Sequence, residues 1–196
     1  TGGPGSFYND ELQSYTGSAT NCFHDGNSNL VIRAMRTGPD SYTSARIKTL
    51  GKFAEYRHTW EARIKLPTGA GVWPAWWLMG PAGWPQGGEI DIVESFGNSW
   101  APATTVWTPN ASGTDMVSSQ QAEFVNDGNW HTWRMTWGAD LVFTMDGREY
   151  FAATPDAGWI YANGKPMFIL LNLAVGGTGG GAVPSTRTFP VDMLID

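Results

Sequence analysis

Trp60-Glu61-Ala62-Arg63-Ile64-Lys65-Leu66 alternates apolar and charged residues without a break. Successive side chains of an extended chain point to opposite faces. The stretch therefore reads as a β-strand with Trp60, Ala62, Ile64 and Leu66 in a core and Glu61, Arg63 and Lys65 in water. The same period of two recurs at residues 30–35 and 133–137, and residues 167–175 supply a further strand. Residues 141–145, Asp146-Gly147 and residues 148–151 read as strand, turn and strand. An Asp-Gly pair suits a type I′ hairpin turn, which needs positive φ at both positions. No segment sustains a 3.6-residue apolar period, and 25 Gly with 12 Pro provide turns throughout. The expected fold is all-β, an antiparallel β-sandwich whose curved sheets offer a long groove.

No linker or repeat divides the 196 residues, so a single domain, 1–196, is expected. Twelve Lys and Arg against 18 Asp and Glu leave a net charge of −6 with no basic run. That balance argues against nucleic acid and anionic membranes as partners. The longest apolar stretches, 72–79 and 167–175, are too short and too interrupted to span a bilayer. The lone Cys22 excludes an internal disulfide and reads as a small buried residue. His24, His58 and His131 lie far apart without metal-ligand spacing and read as structural. No Gly-x-Ser-x-Gly elbow is present, which speaks against a serine hydrolase.

The chemistry-bearing stretch is Gly88-Glu-Ile-Asp-Ile-Val-Glu-Ser95, which places Glu89, Asp91 and Glu94 in an otherwise apolar strand. Glu89 and Asp91 share a face, but Glu94 has the wrong parity. One extra residue, inserted as a β-bulge near Ile92 and Val93, would bring Glu94 back beside them. Carboxylates held together cannot all ionise cheaply; one pKa rises while another stays low. Glycoside hydrolysis uses that asymmetry, with one carboxyl protonating the leaving oxygen and another attacking or activating water. A pair on one strand face favours the retaining geometry, which needs a carboxyl separation of about 5–5.5 Å. Two other readings stay open on spacing alone: a solvated strand face, and an oxygen-ligand set for Ca²⁺.

Eleven Trp is several times the usual share, and Trp73, Trp76, Trp77, Trp84 and Trp100 lie close to the acidic strand in sequence. An indole face stacks on the C–H patches of sugar rings, although core packing accounts for most single Trp residues. Trp84 is the first candidate for such a platform, because Gly83, Pro85, Gly87 and Gly88 make its segment a loop leading into the acidic strand. Trp73, in the turn-rich Gly69-Ala-Gly-Val-Trp-Pro74, is the second. Trp76 and Trp77 are expected to divide, one inward and one outward.

Glu89-Ile-Asp91-Ile-Val-Glu94 resembles the Glu-x-Asp-x-x-Glu active strand of glycoside hydrolase family 16, and within it of the laminarinase-like endo-β-1,3-glucanases. Asn9-Asp-Glu-Leu-Gln-Ser-Tyr15, Tyr42-Thr-Ser-Ala-Arg-Ile47, Trp60-Glu-Ala-Arg-Ile-Lys-Leu-Pro67, Gly71-Val-Trp-Pro-Ala-Trp-Trp77, Trp84-Pro85, Trp130-His-Thr-Trp133 and Leu171-Asn-Leu-Ala-Val-Gly-Gly177 are similar to family segments, in the family's order. The resemblance implies a concanavalin-like β-jelly roll with substrate across a concave sheet, and a retaining double displacement. Glu89 would be the nucleophile and Glu94 the general acid and base, with Asp91 assisting. Position by position, it makes Trp84 the indole stacked near the cleaved sugar, and Asn9 and Arg46 the residues that hold sugar hydroxyls. The bulged strand argues against lichenase-like and xyloglucan-active members, and the lack of an arginine-rich stretch against sulfated galactans.

Three departures from the family pattern stand out. Trp107 in Thr105-Val-Trp-Thr-Pro109 replaces a His that reaches the cleft, which alters sugar contacts beyond the cleavage point. Thr178-Gly-Gly-Gly-Ala182 follows Gly176-Gly177 where the family commonly has Trp, so a flexible, less aromatic rim is expected there. The family's opening strand before Asn9 and the continuation of its final strand past Asp196 are missing, which suggests trimmed termini. The structural Ca²⁺ site that the resemblance implies draws on those segments, with Asp196 a candidate ligand. The expectation is a secreted, monomeric, retaining endo-β-1,3-glucanase acting on laminarin or mixed-linkage glucan. It would need no cofactor for catalysis and have a polysaccharide as its partner; a signal peptide is not in the sequence. The alternatives are a non-catalytic, lectin-like glucan-binding domain and a family 16 hydrolase or transglycosylase acting on another polysaccharide such as a galactan.

Overall fold

The computed structural model describes residues 9–84, 86–97, 102–110, 113–120, 124–154 and 165–196, with backbone alone at 102, 107–110 and 113–120. The strands are β1 (Gln13–Tyr15), β2 (Cys22–His24), β3 (Leu30–Gly38), β4 (Ser41–Ser44), β5 (Arg46–Lys48), β6 (Thr59–Lys65), β7 (Val72–Met79), β8 (Glu89–Ser95), β9 (Pro102–Asn110), β10 (Gly113–Gln120), β11 (Trp130–Trp137), β12 (Leu141–Met145), β13 (Arg148–Ala153), β14 (Phe168–Val175) and β15 (Val191–Ile195). Among the described residues the helical part is a single turn, Gly177–Gly180, and no helix is long and apolar enough to cross a membrane.

Two sheets stack as a β-sandwich. One runs β1-β4-β3-β15-β6-β11-β12-β13, with β2 also paired to β3; the other runs β10-β9-β8-β7-β14-β5. The expected antiparallel sandwich is what forms: among the described residues all strand pairs are antiparallel except β1 with β4, which is parallel. The exception has a physical reason. The segment before β1 crosses to the second sheet, where the Leu12 N–H donates to the Val175 carbonyl and Glu11 bridges Gly176, and this fixes the direction in which β1 meets β4.

The alternation read at residues 60–66 orders the core. Trp60, Ile64 and Leu66 are buried while Glu61 is exposed and pairs with Arg134 of the neighbouring strand. Inward residues of the first sheet, among them Ile32, Trp133, Met135, Leu141 and Phe143, meet Trp76, Leu78, Ile90, Ile92, Val106 and Leu173 of the second in one apolar layer. Asp146 and Gly147 both have positive φ, at 51° and 80°, as the type I′ reading requires. His131 is structural here: its ring nitrogens lie 2.7 Å from Asp146 and 3.0 Å from Asp127, tying that turn to the preceding loop.

Leu78 is fully buried between the sheets. Leu78→Ala is expected to lower the unfolding free energy by about 2–5 kcal/mol in chemical denaturation, with the denaturant slope unchanged; a loss below about 1 kcal/mol would contradict a close-packed layer at that position.

Candidate active site

The acidic strand β8 lies inside the six-stranded sheet, between β7 and β9. Its register to β7 runs Met79↔Glu89, Leu78↔Ile90, Trp77↔Asp91, and then jumps to Trp76↔Val93 and Ala75↔Glu94. Against β9 it runs Glu89↔Trp107, Asp91↔Thr105, and then Glu94↔Ala103. Ile92 and Val93 together therefore oppose one residue, Thr104, and the expected bulge sits at the expected place. Its effect is to seat Glu94 opposite Ala75, on the face that carries Trp77 and Met79, while Ile90 and Ile92 remain in the core. Trp76 joins that core and Trp77 lies on the opposite face with Ala75, Phe168 and Leu170, so the two indoles divide as expected.

Glu94 is 7% exposed and Asp91 4%; Glu89 is half-buried. The indole N–H of Trp73 donates to Glu94 Oε1 at 2.9 Å. Asp91 also hydrogen-bonds the Glu94 side chain. A hydrogen bond between two carboxyl groups needs a proton on one of them, so this pair holds a proton close to Glu94. Burial pushes the Glu94 carboxyl up to about 7, against the opposing pull of the Trp73 and Asp91 hydrogen bonds. Burial, together with the charge of Glu94, pushes Glu89 to about 7 as well, while the Arg46 guanidinium pulls it down. The two carboxyls thus differ in their partners: a proton-sharing group beside Glu94 and a cation near Glu89. Asp91 was expected to assist; the contact resolved here is with Glu94.

Arg46 reaches this face from the edge strand β5. Its register is Arg46↔Asn172 across to β14, then Asn172↔Ala75 and Ala75↔Glu94, one row across four strands. Its guanidinium carbon sits 4.5 Å from the centre of the Trp77 ring, a cation–π contact, and the Trp77 indole N–H donates to Asn172 Oδ1 at 2.8 Å. The Asn172 side chain hydrogen-bonds Tyr15, whose hydroxyl donates to the buried Glu11 carboxylate at 3.2 Å; Gln13 donates to the same oxygen at 2.6 Å. Sequence reading assigned no role to Asn172, Tyr15 or Glu11. An amide inside the apolar run 168–175 was the available signal.

The other expected site residues are placed as follows. Trp73 is half-buried and engages Glu94, a use that stacking arguments did not foresee. Trp84 is 53% exposed in the loop entering β8, where Gly80 and Gly88 close the loop ends with a 3.3 Å backbone hydrogen bond. Asn9 is exposed, and its carbonyl accepts from the Thr178 N–H at 2.9 Å, beside the helical turn. Trp107 pairs with Glu89 through its backbone, but its side chain, like Pro85 and Trp100, lies outside the described residues. Asp196 follows β15, which runs between β3 and β6 inside the first sheet, and forms an ion pair with Arg63 of β6 at 2.8 Å. Among the described residues no three His, Cys, Asp or Glu gather to hold a metal ion.

The expected flexible rim is instead a packed helical turn. Gly179 and Gly180 are buried, and their carbonyls accept from the Gly97 and Gly71 N–H groups at 3.0 and 2.8 Å. A Cβ on Gly179 would lie 2.3 Å from the Trp73 ring, so only glycine lets this turn brace the indole that bonds Glu94. Gly179→Ala is expected to cost about 1–3 kcal/mol and to weaken the Trp73–Glu94 bond; a thermal melt and an indole fluorescence spectrum like those of the unaltered protein would refute the bracing.

Residues 9–188 match the model of glycosyl hydrolases family 16. The glucan endo-1,3-beta-glucosidase A1 of Niallia circulans is 31% identical over 219 residues, covering 96% of this chain; the chain spans only 32% of that protein's length. A glycoside hydrolase family 16 endo-glucanase from Bacteroides ovatus, solved with G4G3G-2F-DNP, superposes with a TM-score of 0.83 at 31% identity, covering 100% of this chain and 90% of its own. A laminarinase from Flavobacterium sp. UMI-01 superposes with a TM-score of 0.81 at 33% identity, covering 96% and 84%.

Both central carboxyls carry pKa values raised from 4.5 in the unfolded chain to about 7 in the fold. A raised value means that the unfolded state loses its proton first. The contribution to stability is therefore complete below about pH 4.5 and is lost as pH rises through about 7. Glu94→Gln should abolish a loss on the order of 1–3 kcal/mol between pH 4.5 and 8; parallel pH dependences in chemical denaturation of the two proteins would refute the burial of an ionisable Glu94.

Proposed function

The chain belongs to glycosyl hydrolase family 16, and from that premise we propose that it is a retaining endo-β-glucanase hydrolysing internal β-1,3 bonds of glucans such as laminarin. The observation that carries this reading is the β8 register, which lines Glu89, Asp91 and Glu94 along one face of the sheet despite their uneven spacing. The names borne by the relatives support the substrate class, and they are names of proteins that extend beyond this chain or differ from it in two residues of three.

The proposed reaction uses side chains alone. Glu94, hydrogen-bonded to Asp91, protonates the glycosidic oxygen as the bond to the anomeric carbon breaks. Glu89, whose charge is favoured by Arg46, attacks that carbon from the opposite face and forms a glycosyl ester. Glu94, now ionised, takes a proton from water; the water oxygen attacks the anomeric carbon, and Glu89 leaves with the configuration retained. Exposed Trp84 at the entrance to β8 is assigned to stack on a sugar near the cleaved bond, and Arg46, Asn9 and Trp107 to hold flanking sugars. An intact polysaccharide does not cross a membrane, which supports placing this activity outside the cell.

Reducing ends measured on laminarin, mixed-linkage glucan, agarose and carrageenan test the reading. Laminarin is expected to be cut, Glu89→Gln to be inactive, and kcat/KM to fall above about pH 7 as the acid loses its proton. Glu94→Ala should lose about 10²–10⁴-fold in kcat and be partly restored by azide as the β-glycosyl azide, whereas rescue of Glu89→Ala gives the α-azide. The same azide from both variants would overturn the role assignment. Binding to laminarin without cleavage would replace the enzyme with a glucan-binding protein.

A further inference from the structure

The bulge that aligns Glu94 leaves a debt in the core. Ile92 has no ladder partner on either neighbouring strand and is fully buried, so the regular pairing of the ladder does not extend to it. A buried carbonyl without a hydrogen bond is costly, and a bulge that left one would be pulled toward a regular register. Two side chains meet it. The Tyr150 hydroxyl, from β13 of the opposite sheet, donates to the Ile92 carbonyl at 2.6 Å. The Thr104 hydroxyl, from the β9 residue facing the bulge, lies 3.0 Å from that carbonyl and 3.0 Å from the Tyr150 oxygen.

Both side chains are buried, at 5% exposure for Tyr150 and 0% for Thr104. The phenol is aimed by its ring, which packs at 86° against Trp133 and against Phe124 and Phe143 at centroid distances of 5.5 and 6.3 Å. The hydroxyl therefore has one direction to point, across the core to the bulge. A phenylalanine would fill the same space, so packing alone gives no reason for the oxygen. The far end of β8 is held independently, by Asn126 donating to Ser95 Oγ at 2.9 Å.

We propose that Tyr150 and Thr104 are positioning residues of the reaction, clamping the extra residue of β8 so that Glu94 stays beside Asp91 and Glu89 and in reach of Trp73. The inference rests on the reading of Glu94 as the group that donates and recovers the proton. Neither residue touches substrate; they act through the backbone, two residues from the Glu94 side chain. Displacement of a catalytic group by about 1 Å lowers turnover on the order of 100-fold while leaving ground-state binding largely intact.

The test compares Tyr150→Phe and Thr104→Val with Leu141→Val, a buried truncation in the first sheet away from the bulge. Kinetics on laminarin and hydrogen exchange of the Trp73 indole N–H are measured at a temperature where each variant is folded. Tyr150→Phe is expected to lower kcat by about 10- to 100-fold with KM within about threefold, and to speed indole exchange by about tenfold or more. Leu141→Val should lower only the melting temperature. If Tyr150→Phe and Thr104→Val keep kcat and indole exchange whatever their melting temperatures, the clamp is overturned. Should Tyr150→Phe not fold, Thr104→Val decides on the same two measurements. An unaltered protein that cuts no glucan would refute the proposed activity; indole exchange would still decide the clamp.

Discussion

A β-strand can present side chains to one face only at every second residue, and Glu94 stands an odd number of residues from Glu89 and Asp91. The site exists because β8 breaks that alternation once, at Ile92 and Val93, inside a sheet whose other strands keep theirs. Everything close to the carboxylates depends on the break. Ala75 and Ala103 flank Glu94 with small side chains, Trp73 reaches it from the start of β7, and the core beneath accommodates two consecutive apolar residues instead of one. A regular strand with the same sequence would point Glu94 into the layer of Trp76, Leu78 and Ile90, where an unpaired charge is costly.

The electrostatics follow from this placement. Carboxyls are brought together where water is scarce, so the first proton lost is cheap and the next is not. Unequal partners decide where charge settles. The Arg46 guanidinium is oriented by Trp77, which is held through Asn172 and Tyr15 by the buried Glu11. Asp91 and Trp73 instead surround Glu94 with hydrogen bonds. The N-terminal segment thereby contributes to the character of a strand some eighty residues further on, and the cost is an active face less stable than an apolar one would be.

Much of this was legible in the sequence because it is local. Alternation at 60–66 gave a strand and its faces, Asp146-Gly147 gave a turn type, and the uneven spacing of three acids gave a bulge and its position. Each rests on stereochemistry acting over a few residues. What escaped depends on residues that sequence does not bring together. The run 177–181 reads as slack because glycine is permissive, yet it is packed because Trp73 occupies the space a Cβ would need. Asn172 and Trp77 are 95 residues apart, and Tyr150 and Ile92 are 58 apart, so no window of sequence could pair them. The parallel pairing of β1 was likewise set by contacts at β14, not by β1 itself.

The helical turn at Gly177–Gly180 joins segments that are remote along the chain. Its backbone bonds Asn9, Gly71 and Gly97, so that the segment before β1, the entry to β7 and the exit from β8 meet at one knot. Closing such loops costs entropy before any contact returns it, and non-local strand pairing is the slow part of β-sheet folding. The knot can tie only after β14 has found its place beside β7, late in the sequence of assembly, because the turn is the continuation of that strand. The brace behind Trp73 thus follows the acidic strand in order of synthesis, and a nascent chain carries that strand before it carries the support that makes the strand competent.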